Sequence, residues 1–271
     1  MFKKALFVLL VLTLLTVGAV PAGAMATTAG PISYVEDLEN GRIGVRYNGA
    51  SDPGLKVRIA KDGGEALFYD LRVGRTEYYP LQLGNGQYTV TVFQQIEGTS
   101  YRSIGSRTLN LNLNNAMAVY LNANQQVNWN EDMAIIRKAS ELTAGIDSDI
   151  LKARAIYDYL VRNYSYDYAK AATVRSGYIP NIEEIARLRK GICYDYSVVY
   201  AAMLRSVGIP ARLAKGYTSN FDGYHAWNEV WIQGRGWIVV DTTVDAYYLT
   251  RNVVRNTMVQ STDAYAAGSL F

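Results

Sequence analysis

Residues 191–242 read GICYDYSVVYAAMLRSVGIPARLAKGYTSNFDGYHAWNEVWIQGRGWIVVDT, and they contain the only cysteine of the chain, Cys193, and its only histidine, His225. The segment after Cys193, YDYSVVYAAMLRSVG (194–208), reads as an amphipathic helix. Ser197, Tyr200, Ala201, Leu204 and Val207 fall on one face, and Gly208 is a stop. Cys193 therefore stands at a helix N-terminus. There the partial positive charge of the helix favours thiolate over thiol. The unpaired backbone N–H groups of the first turn can receive the negative oxygen of a tetrahedral intermediate. Pro210 breaks the pattern, and strand-like segments follow at 211–219, 225–232 and 236–243. Gln233-Gly234-Arg235-Gly236 pairs the last two as an antiparallel hairpin. Counting outward from that turn puts Ile232 beside Gly236 or Trp237, His225 about seven residues out and Asp241 about four or five. Spacing alone thus leaves a bulge or a neighbouring strand to bring His225 and Asp241 together.

The residue types define roles. An imidazole at His225 can take the thiol proton and return it to a leaving group. A carboxylate at Asp241 can hold the ring in one tautomer and stabilise its cation. Each residue alone has a bland reading: a buried thiol, a structural histidine, a strand-end acid. The concentration of sole Cys and sole His in one block favours a thiol–imidazole–carboxylate triad. One Cys and one His do not fill a four-coordinate metal shell, and no HxH or CxxC spacing occurs. No GxGxxG or phosphate loop is present, so no metal or organic cofactor is expected.

GICYDYSVVYAAMLRSVGIPARLAKGY, YHAWNEVWI and GWIVVDTT closely resemble, in order and spacing, the three core motifs of the transglutaminase-like superfamily. The resemblance covers about 130–250 and includes IYDYLVRNYSYDY before the cysteine. It implies an α+β, papain-like core, helices packed on an antiparallel sheet, with Cys193 as nucleophile, His225 as base and Asp241 as orienting acid. Members often add an upstream side chain to the oxyanion hole; Tyr166 is the first candidate here and Tyr164 the second. Where animal transglutaminases carry Gly-Gln-Cys-Trp, this chain has Gly191-Ile192-Cys193-Tyr194, and it lacks calcium-binding acidic clusters. Both departures count against protein crosslinking in the animal style.

Upstream, 131–145 and 147–163 carry helical periodicity, the second with an apolar stripe of Ile150, Leu151, Ala155, Ile156, Tyr159 and Leu160 and a cap at Ser148 or Asp149, and YSYDY (164–168) leaves the helix. AKAATVRSGYIPN (169–181) reads as a loop beside the site, and 182–191 as a short helix stopped by Gly191. From 31 to 122 the pattern is instead short and alternating, with strand-like segments at 41–49, 55–64 (ending in the turn Asp62-Gly63-Gly64) and 66–73, a hairpin over 85–104 turning at Glu97-Gly98-Thr99, and strands at 109–114 and 117–124. That spacing predicts a small all-β, immunoglobulin-like sandwich at 31–122, ahead of a transglutaminase-like domain at 125–271. The β-rich part holds no Cys or His and no acid cluster, so its expected role is support or binding.

At the start, Lys3 and Lys4 precede an apolar run from Ala5 to Val20 and small residues at Ala22-Gly23-Ala24. This is the pattern of a secretory signal over 1–24, cleaved after Ala24 or Ala26. The run is shorter than the roughly 20 residues a membrane span needs. The expected product is secreted or held at the cell surface, with no stable membrane insertion. In an oxidising compartment structural cysteines come in pairs, so a solitary exported thiol calls for a chemical reason. Without the leader, 25 basic groups face 24 acidic ones. That balance gives no case for nucleic acid as a partner. Two functions from different classes fit. One is an exported thiol enzyme that cleaves or transfers acyl groups at amide bonds of peptides or proteins, cell-wall peptides among them, through a Cys193 thioester, with hydrolysis slightly preferred. The other is a non-catalytic surface protein that retains the scaffold and binds through its β-rich part.

Overall fold

The computed structural model describes residues 27–28, 30–253 and 258–271. The signal sequence expected at 1–24 lies outside them. Eight strands come first: β1 (Thr27–Thr28), β2 (Ile32–Asp37), β3 (Arg42–Tyr47), β4 (Leu55–Lys61), β5 (Ala66–Leu71), β6 (Glu77–Pro80), β7 (Gly86–Glu97) and β8 (Ser100–Leu111). They form two four-stranded antiparallel sheets, ordered β1-β2-β3-β6 and β5-β4-β7-β8. The alternation read from the sequence explains the packing. Leu55, Val57 and Ile59 of β4 and Tyr88, Val90 and Val92 of β7 point inward with Ile43 and Val45 of β3, and both sheets share this one core. The hairpin turns at Gly98, whose φ of 53° is the left-handed region glycine tolerates.

Three features differ from the sequence reading. Strands β2 and β6 had no clear period-2 signal. Pro80 sits at the end of β6 on a sheet edge, where a missing N–H costs nothing. The segments read as a return strand and a separate strand at 109–114 are one continuous β8. Residues expected as a strand at 117–124 instead contain a 3-10 turn, Ala116–Tyr120, because the Asn115 side chain accepts from Met117 N (2.9 Å) and so caps a turn that buries Val119 and Tyr120.

Helices α1 (Ala134–Thr143), α2 (Asp149–Asn163), α3 (Tyr168–Thr173), α4 (Ile182–Leu188), α5 (Cys193–Ser206) and α6 (Thr242–Leu249) follow. Their sheet has the order β14-β13-β12-β11-β15, from β11 (Ala211–Thr218), β12 (Phe221–Ile232), β13 (Gly236–Val240), β14 (Val259–Gln260) and β15 (Tyr265–Leu270). A short parallel pair joins β9 (Ser165–Tyr166) to β10 (Lys190–Gly191). The architecture is mixed α+β. Helix α5 is not amphipathic as read: every residue from Tyr194 to Arg205 is buried. It packs on β11 and β12 with one side and touches α1, α2, α4 and α6 with the others. Its end follows the expected logic. Gly208, at φ 82°, lets Gly208 N and Ile209 N bond Arg205 O and Leu204 O at 3.1 and 3.0 Å.

The buried stripe of α2 is Ala153, Ile156, Tyr157 and Leu160, a cleaner i, i+3, i+4, i+7 set than the one read, and Leu151 faces solvent. Residues 168–173, expected as loop, form α3, capped by Asp167 Oδ1 on Lys170 N at 3.0 Å. Helix α4 ends at Arg189, in the left-handed conformation at φ 50°, not at Gly191, which is already part of β10. The tail after 242 becomes α6, β14 and β15, and β15 completes the sheet beside β11.

Candidate active site

Gly191 pairs with Tyr166 in the short parallel ladder, and Asp167 N donates to Gly191 O at 2.9 Å. The chain therefore enters Ile192 extended (φ −90°, ψ 176°) and turns abruptly into α5 at Cys193. Asp195, fully buried, reaches back so that its Oδ2 accepts from Ile192 N at 2.9 Å. Its other partners are Tyr178 Oη, which donates to Oδ1 at 2.6 Å, and Lys170 Nζ, 2.6 Å from Oδ2. This buried ion pair fixes the turn that presents the thiol. Cys193 is partly accessible and begins the helix, so its backbone N–H has no intrahelical acceptor.

His225 lies on β12 opposite Gly216 of β11. Its ring is buried, stacked between Phe221 (centroids 4.8 Å, 27°) and Trp227 (6.3 Å, 21°). The β12–β13 ladder pairs Ile232 with Gly236 and stops at Asn228 with Val240. No bulge in it bridges the offset to Asp241. The third segment stops being a strand at Val240, and Asp241 becomes the N-cap of α6. Continued in register, Asp241 would face Trp227, one diagonal step from His225 on the same sheet face, within reach of two side chains. The result is a bond of 2.8 Å between His225 Nε2 and Asp241 Oδ2. Tyr265 Oη of β15 donates to the same oxygen at 3.0 Å, while Asp241 Oδ1 accepts from Thr243 N and Val244 N at 3.1 and 3.0 Å.

With Nε2 engaged, the free ring nitrogen is Nδ1, which is buried with no hydrogen-bond partner among the described residues. Burial pulls the imidazole pKa down. The charge of Asp241, its hydrogen bond, and then the Cys193 sulfur outweigh burial and raise it from 6.5 to about 10. The ring is thus poised to sit as imidazolium, with Nδ1 as its unpartnered nitrogen.

Tyr166 joins the site. Burial first, then the Cys193 sulfur, pushes its hydroxyl pKa up to about 12, so the phenol stays protonated and able to donate. Tyr164 does not join it. Tyr164 caps the end of α2, outside β9, and its side chain is buried in the helical core with its ring against Tyr159 and Tyr196. The sequence reading missed Asp195, Lys170, Tyr178 and Tyr265. The pattern Ile192-x-x-Asp195 at a helix start signalled the first of these; the other three come from distant segments.

Two cavities lie near the site, one of them lined by the thiol. One of about 490 Å³ is lined by Cys193, His225, Tyr194, Lys215 and Arg175. The other, about 300 Å³, is lined by Tyr166, Tyr168, Phe221, Asp222 and Tyr247. Among the described residues no group of three His, Cys, Asp or Glu side chains could hold a metal ion, and no helix is long and apolar enough to cross a membrane.

Residues 136–242 match the family model of the Transglutaminase-like superfamily, and this span runs from α1 to the start of α6, with all three polar residues of the site inside it. Residues 136–242 are a transglutaminase-like domain. Within curated relatives, the chain is 31% identical over 116 residues to human kyphoscoliosis peptidase, covering 38% of this chain and 17% of that protein. It is 38% identical over 68 residues to the protein-glutamine gamma-glutamyltransferase of Pseudomonas aeruginosa, covering 20% of this chain and 10% of that one. The chain therefore spans about a sixth or less of those relatives. Among solved structures, the periplasmic domain of TgpA from Pseudomonas aeruginosa aligns over 78% of this chain and 94% of its own at 15% identity, with a TM-score of 0.40. The transglutaminase-like domain of this chain is thus similar to proteins named for peptide cleavage and for glutamyl transfer.

Proposed function

We propose that this chain is an exported cysteine enzyme that attacks amide bonds of peptides or proteins through a Cys193 thioester. The observation that carries the reading is His225 held by Asp241 through Nε2, with Nδ1 left to the thiol at a helix N-terminus. The Cys193 sulfur attacks the carbonyl carbon, and the carbonyl oxygen becomes an oxyanion facing the Cys193 backbone N–H and the Tyr166 hydroxyl. As the C–N bond breaks, the His225 imidazolium gives its Nδ1 proton to the departing amine. Water, deprotonated by His225, then attacks the thioester and releases a carboxylic acid and the thiol; an amine in its place gives a new amide. Hydrolysis is the preferred second half, because no feature of the site reads as a dedicated amine channel. Residues 1–24 act as a secretory signal in this proposal. Residues 31–122 form an immunoglobulin-like module that supports the catalytic unit at 125–271, and cell-wall peptides belong to the substrate class.

The test is mass spectrometry of peptide and cell-wall fragment mixtures incubated with wild type and Cys193→Ala, with and without an added primary amine. A Cys193-dependent cleavage product establishes hydrolysis, and an amine adduct establishes transfer. Identical spectra for the two proteins, together with Cys193 alkylation no faster than that of a free thiol, would sink the proposal.

A further inference from the structure

Lys215 of β11 stands in the larger cavity beside Cys193, on the sheet face shared by Ala226, its cross-strand partner. Its side chain is half-buried, and among the described residues no Asp or Glu forms an ion pair with it. Nζ lies 3.6 Å from the centre of the Tyr194 ring and 5.0 Å from that of Phe271, and it donates to Gln126 Oε1 at 3.3 Å. Burial lowers its pKa to about 8, and the opposing influence is the Cys193 sulfur, not any carboxylate of the described residues. Buried ammonium groups are ordinarily matched by an acid. Here two ring faces and one amide oxygen hold it instead, and these are weak substitutes.

The surroundings repeat that imbalance. Arg175 lines the same cavity, and no Asp or Glu does. A second cavity, reached through Phe221, whose ring stacks on His225, has the opposite character: it carries Asp222 and no Lys or Arg. The Asp195 pair below Cys193 cannot serve Lys215, since its oxygens are taken by Lys170, Tyr178 and Ile192 N.

We propose that Lys215 is a specificity-determining residue that receives a carboxylate carried by the acyl donor, placing that charge on the Lys215 side of the scissile amide. This rests on the amide-bond chemistry proposed above. An arriving carboxylate would give the ammonium its missing partner in a site partly shielded from water, where a charge-assisted contact is worth more than at the surface. A neutral donor would leave Lys215 as it is and gain nothing from it. Substrates of this class are peptides with an acidic side chain or a free α-carboxylate close to the cleaved bond.

Two thiol reagents of nearly equal size read this preference without a known substrate: iodoacetate, which carries the carboxylate, and iodoacetamide, which does not. The quantity measured is the ratio of their second-order rates at Cys193 in the full chain at pH 7 and low salt, divided by the same ratio for free N-acetylcysteine. Wild type should exceed the free thiol by about tenfold, the effect of one well-placed charge. Lys215→Met and Lys215→Gln should each lose most of that excess, and Lys215→Arg should keep it; two replacements of different polarity leave a usable comparison if one fails to fold. A wild-type ratio no higher than that of the free thiol would overturn the proposal. So would both rates falling together in the variants with the ratio intact, because Lys215 would then act on the sulfur and not on the incoming charge. If neither reagent outpaces the free thiol, the thioester reading fails, and the ratio still reports on Lys215 separately.

Discussion

Asp241 uses all of its carboxylate. One oxygen holds His225 and Tyr265, and the other caps α6 through Thr243 N and Val244 N. Asp241→Asn keeps a capping oxygen but loses the charge that sustains the imidazolium. The alkaline limb of Cys193 alkylation should lie near pH 10 in wild type, where His225 gives up its proton, since its pKa is raised to about 10. In Asp241→Asn it should move down toward the ordinary imidazole value of about 6.5, with a loss of at least about tenfold in rate at pH 8. The same group makes a stability prediction of definite sign. A histidine whose folded pKa is raised contributes fully below its unfolded pKa of about 6.5, and the contribution is lost as pH rises through the folded value. The urea midpoint of wild type should therefore fall between pH 6.5 and 10 by more than that of Asp241→Asn, a comparison that chemical denaturation at fixed pH values supplies.

At the scale of elements, the thiol is presented by a turn, not by a helix alone. A side chain added at Gly191 would put its Cβ 2.5 Å from Asp195 Cβ and 2.9 Å from Asp195 Oδ2. Gly191→Ala should push Asp195 off Ile192 N and shift the start of α5. The expected cost is about 2–3 kcal/mol, as for a disturbed buried carboxylate, with slower Cys193 alkylation; denaturant unfolding and alkylation kinetics measure the two. Gly208 ends the same helix at φ 82°, with its Cβ direction open. Gly208→Ala should cost only about 1 kcal/mol, from backbone strain, and leave alkylation unchanged, because the strain sits at the far end of α5. The helix start was legible because Gly191-Ile192-Cys193 precedes a long apolar run. The full burial of α5 was not: its periodicity read as one packed face, while four neighbouring helices and the sheet supply apolar surroundings that only assembly creates.

Across the whole molecule, Arg205 ties α5 to segments far apart in the sequence. Its guanidinium is buried, bonding Ala211 O through Nε and Nη2 at 3.0 and 2.8 Å, Asn122 O at 2.9 Å and Phe271 O at 3.3 Å. Burial lowers its pKa to about 9. No Asp or Glu side chain is among those partners, so backbone oxygens carry the charge. Arg205→Met should destabilise by about 3–5 kcal/mol by leaving them without a donor, and Arg205→Lys by somewhat less, because an ammonium cannot fork across three carbonyls. Equilibrium urea unfolding measures both. Phe271 also packs against both the β-rich core and the helical core, and Gln82 Nε2 donates to Leu270 O at 2.6 Å, so β15 and its end join the two parts.

By itself the sequence determined the candidate site residues and most of the elements. The sole cysteine fell at a helix start, the sole histidine in an alternating strand, and hydrophobic periodicity marked α2, α5 and the strands of the β-rich part. These are local properties, set by neighbours within a few residues, and so they can be read along the chain. The tertiary structure alone decided the rest. It turned Asp241 from a strand residue into a helix cap that meets His225. It buried Tyr164 against Tyr159 and Tyr196 at the end of α2, and paired Tyr166 with Gly191 beside the turn into α5. It brought Lys215, Tyr265 and the Lys170–Asp195 pair to the thiol. Those groups come from separate elements, and charge and hydrogen bonding act through space at a few ångströms, whatever the distance along the chain.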